Sequence, residues 1–289
     1  RRLLLTRTLL DANPAFPFLR LTTNDAASDY HSAQLHFRRR LSSGLQSFAS
    51  YTFAKSLDDL SPDTAARALL GSDDRRMERG PSDFDVRHAF VGLLSYELPA
   101  AFNSGVGRAL LRDWTLDALF NARSARPVNV LYAVPTSYGF AYLRPDLIAG
   151  VPLYVEDPSV AGGRRINPAA FAAPTHARQG TLARNGLRGF PVHQFDLGLR
   201  RRFAFNERVS LLLRAEAFNL FNHPNFEDPS GEDATLGTLS LSDASPRPNA
   251  TFGRSHSARG TTAAPGYGFG PFHSTGGPRT FRFSLKLVF

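Results

Sequence analysis

The densest group of potential ligand atoms in this sequence is a set of aspartates between positions 58 and 85. They include Asp58, Asp59, Asp73, Asp74, Asp83 and Asp85. Clustered carboxylates can bind calcium, so a cation site is the chemistry that this group could perform. However, Arg75, Arg76, Arg79 and Arg87 lie among the aspartates, and no Asp-x-Asp-x-Asp-Gly spacing is present. The pattern therefore favours salt bridges within a solvated loop over a calcium site.

Other residue patterns that carry chemistry are missing from the sequence. Cysteine is absent, which excludes disulfides, thiolate metal sites and cysteine nucleophiles. The eight histidines are scattered, and no pair of them has the spacing of a helical zinc motif. There is no Gly-x-Ser-x-Gly elbow and no phosphate-binding glycine-rich loop before a helix. The sequence therefore predicts no enzymatic activity, no metal site and no cofactor.

The charge balance is basic, with a formal net charge of +9 and a sequence pI near 10.4. Such a balance indicates an acidic partner, such as nucleic acid or anionic lipid. Two arginine triplets, Arg38–Arg40 and Arg200–Arg202, lie where predicted strands approach short turns. At a membrane surface, arginine stems snorkel so that the charged heads meet lipid phosphates or water. Because no open aromatic platform for stacking bases is evident, we expect a lipid contact and no nucleic acid.

A two-residue periodicity, rather than a helical one, organises the chain. Strand and turn signals predict about nine strands. They span Leu3–Leu10, Ala15–Thr22, Tyr30–Arg40, Leu45–Leu57, Phe84–Leu98, Asp113–Ala125, Val192–Phe205, Arg208–Phe221 and Thr280–Phe289. Most of these strands alternate apolar and polar residues. The fifth is ambiguous, because its apolar run from Val91 to Leu94 could face either way.

The last strand has one apolar face and one polar face, and it ends on an aromatic residue. Its apolar face consists of Phe281, Phe283, Leu285, Leu287 and Phe289. Arg282, Ser284 and Lys286 lie on the opposite face, because successive strand side chains alternate. A tilted membrane-spanning strand needs about 9–11 residues, whereas an exposed apolar strand at the edge of a soluble sheet invites aggregation. This strand therefore favours a barrel in an outer membrane.

The lengths of the connections between strands alternate along the chain. Asp11–Pro14, Leu41–Gly44 and Asn206–Glu207 are short, and Pro99–Arg112 is moderate. The intervening connections include the longest ones, Asp58–Asp83, Arg126–Pro191 and Asn222–Arg279. In an up-and-down meander every second connection lies at the same rim, and outer-membrane barrels have short periplasmic turns and long extracellular loops. The sequence therefore predicts an all-β, antiparallel up-and-down transmembrane β-barrel segment with a periplasmic carboxy terminus.

In such a barrel the charged face of each strand lines a polar lumen. The candidate lumen-facing residues are Asp117, Asn121, Arg123, Asp196, Arg200, Arg214 and Glu216. The alternative is a lipocalin-like soluble barrel with an apolar interior, and alternation alone does not distinguish the two. Connections longer than about 15 residues without their own structure are uncommon in compact soluble domains. The long connections in this chain therefore favour the membrane barrel.

Several segments, in order along the chain, resemble the TonB-dependent outer-membrane receptors, and in particular the Oar-like group. They are Ala49–Asp59, Gly80–Phe90, Ile166–Phe171, Arg184–Gly189, Arg214–Phe226 and the terminal strand. The resemblance implies a barrel of roughly 22 strands. Residues 1–289 would form its carboxy-terminal part, without the amino-terminal plug and the short box that contacts TonB.

The same resemblance implies a function and a set of partners. Relatives in this group are Gram-negative outer-membrane receptors that take up scarce or bulky nutrients with energy passed on by TonB. The expected partners are outer-membrane lipid and lipopolysaccharide, the barrel-assembly machinery, and TonB through the missing amino-terminal part. The alternative is a structural or adhesive outer-membrane barrel that presents surface loops. The substrate is not readable from the sequence.

We predict that deleting Phe289, or replacing it with a polar residue, impairs membrane assembly of the full-length protein. The terminal strand resembles the signal that the barrel-assembly machinery reads, and Phe289 is the last residue of its apolar face. The measurement is the amount of protein in the outer membrane, together with its heat-modifiable gel mobility. Unchanged levels and mobility in the variant would contradict the prediction.

Overall fold

The computed structural model describes ten parts of the chain. They are residues 2–5, 19–22, 26–40, 44–61, 75–99, 112–136, 139–174, 178–239, 247–255 and 276–289. Strands dominate these residues, and the helical elements are the short 3-10 turns Arg75–Glu78, Pro168–Ala170 and Gly231–Ala234. No helix in these ranges is long and apolar enough to cross a membrane.

Seven long strands form one antiparallel sheet in which neighbours in sequence are neighbours in space. They are β1 (Ser28–Arg40), β2 (Leu45–Asp58), β3 (His88–Glu97), β4 (Trp114–Arg123), β5 (Val192–Ala204), β6 (Ser210–Phe218) and β7 (Thr280–Val288). Each coincides with a predicted strand, with ends that differ by a few residues. The short segment Gly80–Pro81 also pairs with Leu57–Asp58 at the end of β2. The up-and-down order that the sequence predicts is therefore confirmed for these seven strands.

The first two predicted strands do not join this sheet in the described part of the chain. Arg2–Leu5 pairs with Leu19–Thr22 in a separate two-stranded sheet. The rest of the predicted strands Leu3–Leu10 and Ala15–Thr22 lies outside the described residues. The described sheet therefore holds seven of the predicted strands, and the first two form a local pair.

The register of the ladders sorts the side chains of the sheet into two faces. One row across the sheet consists of Leu94, Ala118, Leu197, Ala217 and Phe281. A row on the opposite face consists of Arg40, Gln46, Ser95, Asp117, Gly198, Glu216 and Arg282. We call these the apolar face and the polar face. They resolve the ambiguity in β3, because Leu94 lies on the apolar face and Leu93 on the polar face.

The connections of the sheet are sorted by length between its two rims. Residues 41–44, 98–113 and 205–209 connect strands at the rim where β7 ends, and 59–87, 124–191 and 219–279 connect strands at the other. The predicted tight turn is held by Asn206, whose Oδ1 accepts the N–H groups of Arg208 at 2.9 Å and Val209 at 2.7 Å. The sorting of long and short connections that the sequence predicts is therefore confirmed.

The two longest connections fold together, although the sequence predicted no strand within them. Leu131–Thr136 pairs with Gly139–Leu143 and, in parallel, with Thr235–Thr238, which joins the two connections in one small sheet. The other short strands are Pro127–Val128, Asp146–Leu147, Tyr154–Glu156, Arg164–Ile166, Phe171–Ala172, Leu187–Arg188 and Arg247–Pro248. We call the described residues of 124–191 and 219–255 the cap. Its strands are too short for a sustained alternation, which explains why the sequence did not reveal them.

Most of the buried apolar side chains lie in the cap rather than in the long sheet. The cap core includes Val130, Tyr132, Val134, Leu187 and Phe252, which are 0 to 5% exposed. By contrast, Phe283 and Leu285 on the apolar face of β7 are 76% and 66% exposed. The cap therefore has its own hydrophobic core, while the apolar face of the sheet needs another apolar phase to cover it.

We predict that Leu94→Arg prevents assembly of the full-length protein in the outer membrane, whereas Leu93→Arg permits it. The two leucines are adjacent and similarly exposed, at 41% and 44%, but they lie on opposite faces. An arginine on the lipid side of a membrane strand costs about 2–4 kcal/mol at the midplane. Outer-membrane fractionation and heat-modifiable mobility measure assembly. Equal assembly of both variants would contradict the assignment of faces.

Candidate functional site

The polar face of the sheet brings together all seven residues that the sequence predicted to face a lumen. Asp117, Asn121, Arg123, Asp196, Arg200, Arg214 and Glu216 occupy this one face across β4, β5 and β6. Arg200 Nε lies 3.0 Å from Asp117 Oδ2, and Arg214 Nη2 lies 2.8 Å from Glu216 Oε1. The arginine side chains stay nearly half exposed, at 45% and 44%. The charged side chains of such a face are stable only in contact with water. The role of this face in lining a lumen stays a prediction.

At the end of this face that is nearest the long connections, Asp196 and Gln194 form hydrogen bonds with the connection that follows β6. Asp196 Oδ1 accepts the N–H of Asn219 at 2.8 Å and an N–H of the Gln194 side chain at 2.7 Å. Gln194 Oε1 accepts the N–H of Gly276. Asn219 Nδ2 then donates to the carbonyl of Gly277 at 2.8 Å. Gln194, Asp196 and Asn219 therefore together hold the two ends of this connection close to each other.

The asparagines of the segment after β6 hold backbone groups in place through side-chain hydrogen bonds. Asn219 and Asn222 adopt left-handed φ angles of 48° and 51°, a conformation that asparagine tolerates because its short side chain bonds locally. Asn222 Oδ1 accepts the N–H of Arg279 at 3.2 Å, and Asn225 Oδ1 accepts the N–H of His193 at 2.8 Å. These local bonds and turns therefore account for the three asparagines of the family-like segment Arg214–Phe226.

The cap is attached to the end of β2 by a buried arginine, Arg184, whose side chain is fully buried. Its Nη2 pairs with Asp58 Oδ1, and its Nη1 donates to the carbonyls of Asp58 at 3.0 Å and Glu78 at 2.9 Å. Ser61 Oγ donates to the other oxygen of Asp58 at 2.5 Å. A Cβ on Gly80 would lie 2.6 Å from the Arg184 carbonyl oxygen, so only glycine permits this approach.

A second arginine of the same segment, Arg188, attaches the cap to the start of β3. Arg188 Nη2 lies 2.5 Å from Asp85 Oδ2, and the Asp85 side chain is 1% exposed. The other oxygen of Asp85 accepts the N–H of Ser56 in β2 at 2.7 Å. The Tyr154 hydroxyl donates to the Arg188 carbonyl at 2.7 Å. We call Asp58–Arg184 and Asp85–Arg188 the rim ion pairs.

These contacts correct the partners that the sequence suggested for the aspartate group. Asp58 and Asp85 pair with arginines of the cap rather than with the nearby Arg79 or Arg87. Arg79 pairs instead with Asp29 of β1. The Arg184 and Arg188 pairs span 126 and 103 residues, a separation at which spacing carries no signal. Asp73, Asp74 and the side chains of Arg75 and Arg76 lie outside the described residues.

Two further ion pairs involve arginines of the cap and differ in burial. Arg144, 2% exposed, lies 3.8 Å from Glu78, and burial lowers the pKa of its guanidinium below the ordinary arginine value. On the surface, Arg178 Nη2 lies 2.6 Å from Asp146 Oδ2, and this hydrogen-bonded contact lowers the pKa of the Asp146 carboxyl. No group of three or more His, Asp or Glu side chains suited to a metal ion occurs in the described ranges.

Aromatic residues line the two ends of the apolar face. Near the rim with the long connections, the Tyr51 hydroxyl lies 2.8 Å from His88 Nδ1. Near the opposite rim, the Arg201 guanidinium carbon lies 5.5 Å from the centre of the Trp114 ring and 4.1 Å from that of Phe203. Both arginine triplets lie near this second rim, as predicted. Their contact with lipid phosphates stays a prediction.

The terminal strand β7 pairs with β6 along its whole length, from Thr280 to Val288. Its apolar residues Phe281, Phe283, Leu285 and Leu287 lie on the apolar face, and Phe289 is 93% exposed. Within the described ranges, no strand pairs with the outer edge of β7 or with that of β1. The sheet is therefore open at both edges, and the role of β7 in assembly stays a prediction.

An up-and-down antiparallel sheet with one apolar face, one charged face and long connections at a single rim is the wall of an outer-membrane β-barrel. Residues 4–261 match the family described as outer membrane beta barrel domain, and the chain belongs to that family. Membership places the protein in the outer membrane. The comparison with curated proteins found no match, and neither did the comparison with solved structures.

We predict that Arg184→Leu loosens the cap, because it leaves Asp58 buried without its cation. Breaking a buried ion pair costs about 3–5 kcal/mol, so protease cleavage within residues 124–191 of the full-length protein in outer membranes should accelerate. Arg178→Ala is the matched control, because it breaks a partly exposed pair worth about 0–1 kcal/mol. A cleavage rate in Arg184→Leu no higher than in the control would show that Arg184 does not fasten the cap.

Proposed function

We propose that this chain is the carboxy-terminal barrel portion of a TonB-dependent active transporter for a nutrient. The observation that carries the proposal is the open seven-stranded sheet, whose β1 and β7 edges have no partner in the described ranges. An eight-stranded barrel encloses an interior just wide enough for side chains to fill, whereas a wide polar lumen needs many more strands. A larger barrel, closed by strands outside this sheet, accommodates the charged polar face.

The cap supports a receptor role within this proposal. The rim ion pairs and the hydrogen bonds of the asparagines after β6 hold the cap in one arrangement at the rim with the long connections. A preorganised surface loses less conformational entropy when it binds a solute than a flexible loop does. We therefore assign the cap to substrate capture at the extracellular mouth, and the carboxy terminus to the periplasmic side.

The described residues offer no catalytic constellation, so we assign this chain a transport role and no covalent chemistry. In this proposal the energy comes from TonB through an amino-terminal plug, and the barrel wall provides the path. The apolar face contacts lipid and lipopolysaccharide. The barrel-assembly machinery reads β7, because this strand carries the terminal apolar residues.

The proposal predicts that the full-length protein binds the periplasmic domain of TonB. The experiment is cross-linking and co-purification from outer membranes, with a variant that lacks the segment upstream of the barrel as the control. We expect TonB to be recovered with the full-length protein and not with the truncated one. Normal assembly of the full-length protein without TonB recovery would contradict transport. It would favour an adhesive barrel, particularly if a gene-dependent surface phenotype persists in cells without TonB.

A further inference from the structure

A partly open cavity of about 180 Å³ lies where three of the long connections meet. The connection 59–87 contributes Asp83, and the other lining residues come from the two connections that form the cap. They are Arg126, Pro127, Val128, Asn129, Asn185, Asp228, Pro229, Ser230 and Ala234. Pockets for drug-sized ligands measure about 300–1,000 Å³, so this cavity suits one small solute.

Several hydrogen-bonding groups of the lining are held in fixed positions. Asn185 adopts a left-handed φ of 54°, and its Nδ2 donates to Pro81 O and Asp83 Oδ1, both at 2.8 Å. Asn129 Oδ1 accepts the N–H of Asn185 at 3.3 Å. Asp228 Oδ1 accepts the N–H of Phe190 at 2.7 Å. The lining is therefore preorganised by hydrogen bonds among its own residues and their neighbours.

Other groups of the lining have no hydrogen bond within the described part of the chain. They are the amide NH₂ of Asn129, the amide oxygen of Asn185, the guanidinium of Arg126 and the hydroxyl of Ser230. Asn129 and Asn185 are only 7% and 3% exposed. Buried polar groups normally have hydrogen-bond partners. These groups therefore offer both donors and acceptors to a solute in the cavity.

We propose that this cavity binds a neutral, polyhydroxylated solute of the size of one sugar ring. Each sugar hydroxyl both donates and accepts hydrogen bonds, which matches a lining of amides, a hydroxyl, a guanidinium and carboxylates. The apolar side chains of Pro127, Val128, Pro229 and Ala234 provide a surface for the C–H groups of the ring.

The charges of the lining disfavour a solute with a net charge. An anion attracted by Arg126 would also meet the carboxylates of Asp83 and Asp228, and a cation attracted by the carboxylates would meet Arg126. Repulsion of like charges in a partly desolvated site opposes both. The inference extends the proposed transport function by naming a substrate class, and it depends on that function only for the fate of the bound solute.

The test is ligand-observed NMR on the full-length protein, purified from outer membranes in detergent. The probes are free glucose, galactose, mannose and xylose, with glycine as a zwitterion and acetate as an anion. We expect at least one of the sugars to bind more tightly than glycine, because only the sugar ring also packs on the apolar side chains of the lining. We expect acetate not to bind. Binding should weaken about tenfold in Arg126→Ala and about threefold in Ser230→Ala, because each variant removes one hydrogen-bonding group.

The matched control is Arg208→Ala, which removes an exposed arginine at the opposite rim. It should bind sugar like the unchanged protein. Heat-modifiable mobility checks that each variant is folded. Within the described ranges, neither Arg126 nor Ser230 has a side-chain hydrogen bond whose loss would prevent folding. Absence of sugar binding to the folded protein, equal binding by all variants, or preferential binding of glycine or acetate would each overturn the inference.

The outcome separates this inference from the proposed transport function. Sugar binding that depends on Arg126 and Ser230, in a protein that does not bind TonB, supports the cavity and contradicts transport. Recovery of TonB by a protein that binds no sugar supports transport and contradicts the cavity assignment.

Discussion

The structure depends on one constraint, which is that every peptide group within a bilayer needs a hydrogen-bond partner in the protein. The continuous antiparallel ladders from β1 to β7 meet that constraint along the sheet. Because the ladders fix the register, they also fix which side chains share a row. Leu94, Leu197 and Phe281 thus lie together on the apolar face, and Asp117, Glu216 and Arg282 on the polar one. The same constraint applies to the outer edges of β1 and β7, which have no strand partner within the described ranges.

The cap lies beyond the strands of the sheet, and different interactions hold it in place. It has its own apolar core. Its attachment to the sheet rests on the buried charges of Asp58, Asp85 and Arg184, and on the partly exposed Arg188 that pairs with Asp85. A buried charge without its counterion is strongly unfavourable, so these pairs specify one position for the cap. The segments that resemble TonB-dependent receptors supply many of these contacts. Their residue types therefore reflect how the cap is built and attached.

This organisation supports the proposed function in solute capture. A fixed cap above a charged barrel face places a small, preorganised cavity among three connections. The lining is polar on one part and apolar on another, which is typical of sites that orient a small solute. The barrel wall positions this site, and side chains of the connections line it.

The sequence alone determined the seven long strands of the sheet, their two faces and the sorting of connections between rims, because alternation and turn signals are local properties of the chain. It also placed Asp117, Glu216 and the other candidate lumen residues on the correct shared face. Only the tertiary structure decided that the long connections fold together, and that Asp58 pairs with Arg184. The physical reason is distance along the chain. That pair spans 126 residues, and only three-dimensional packing selects such a partner.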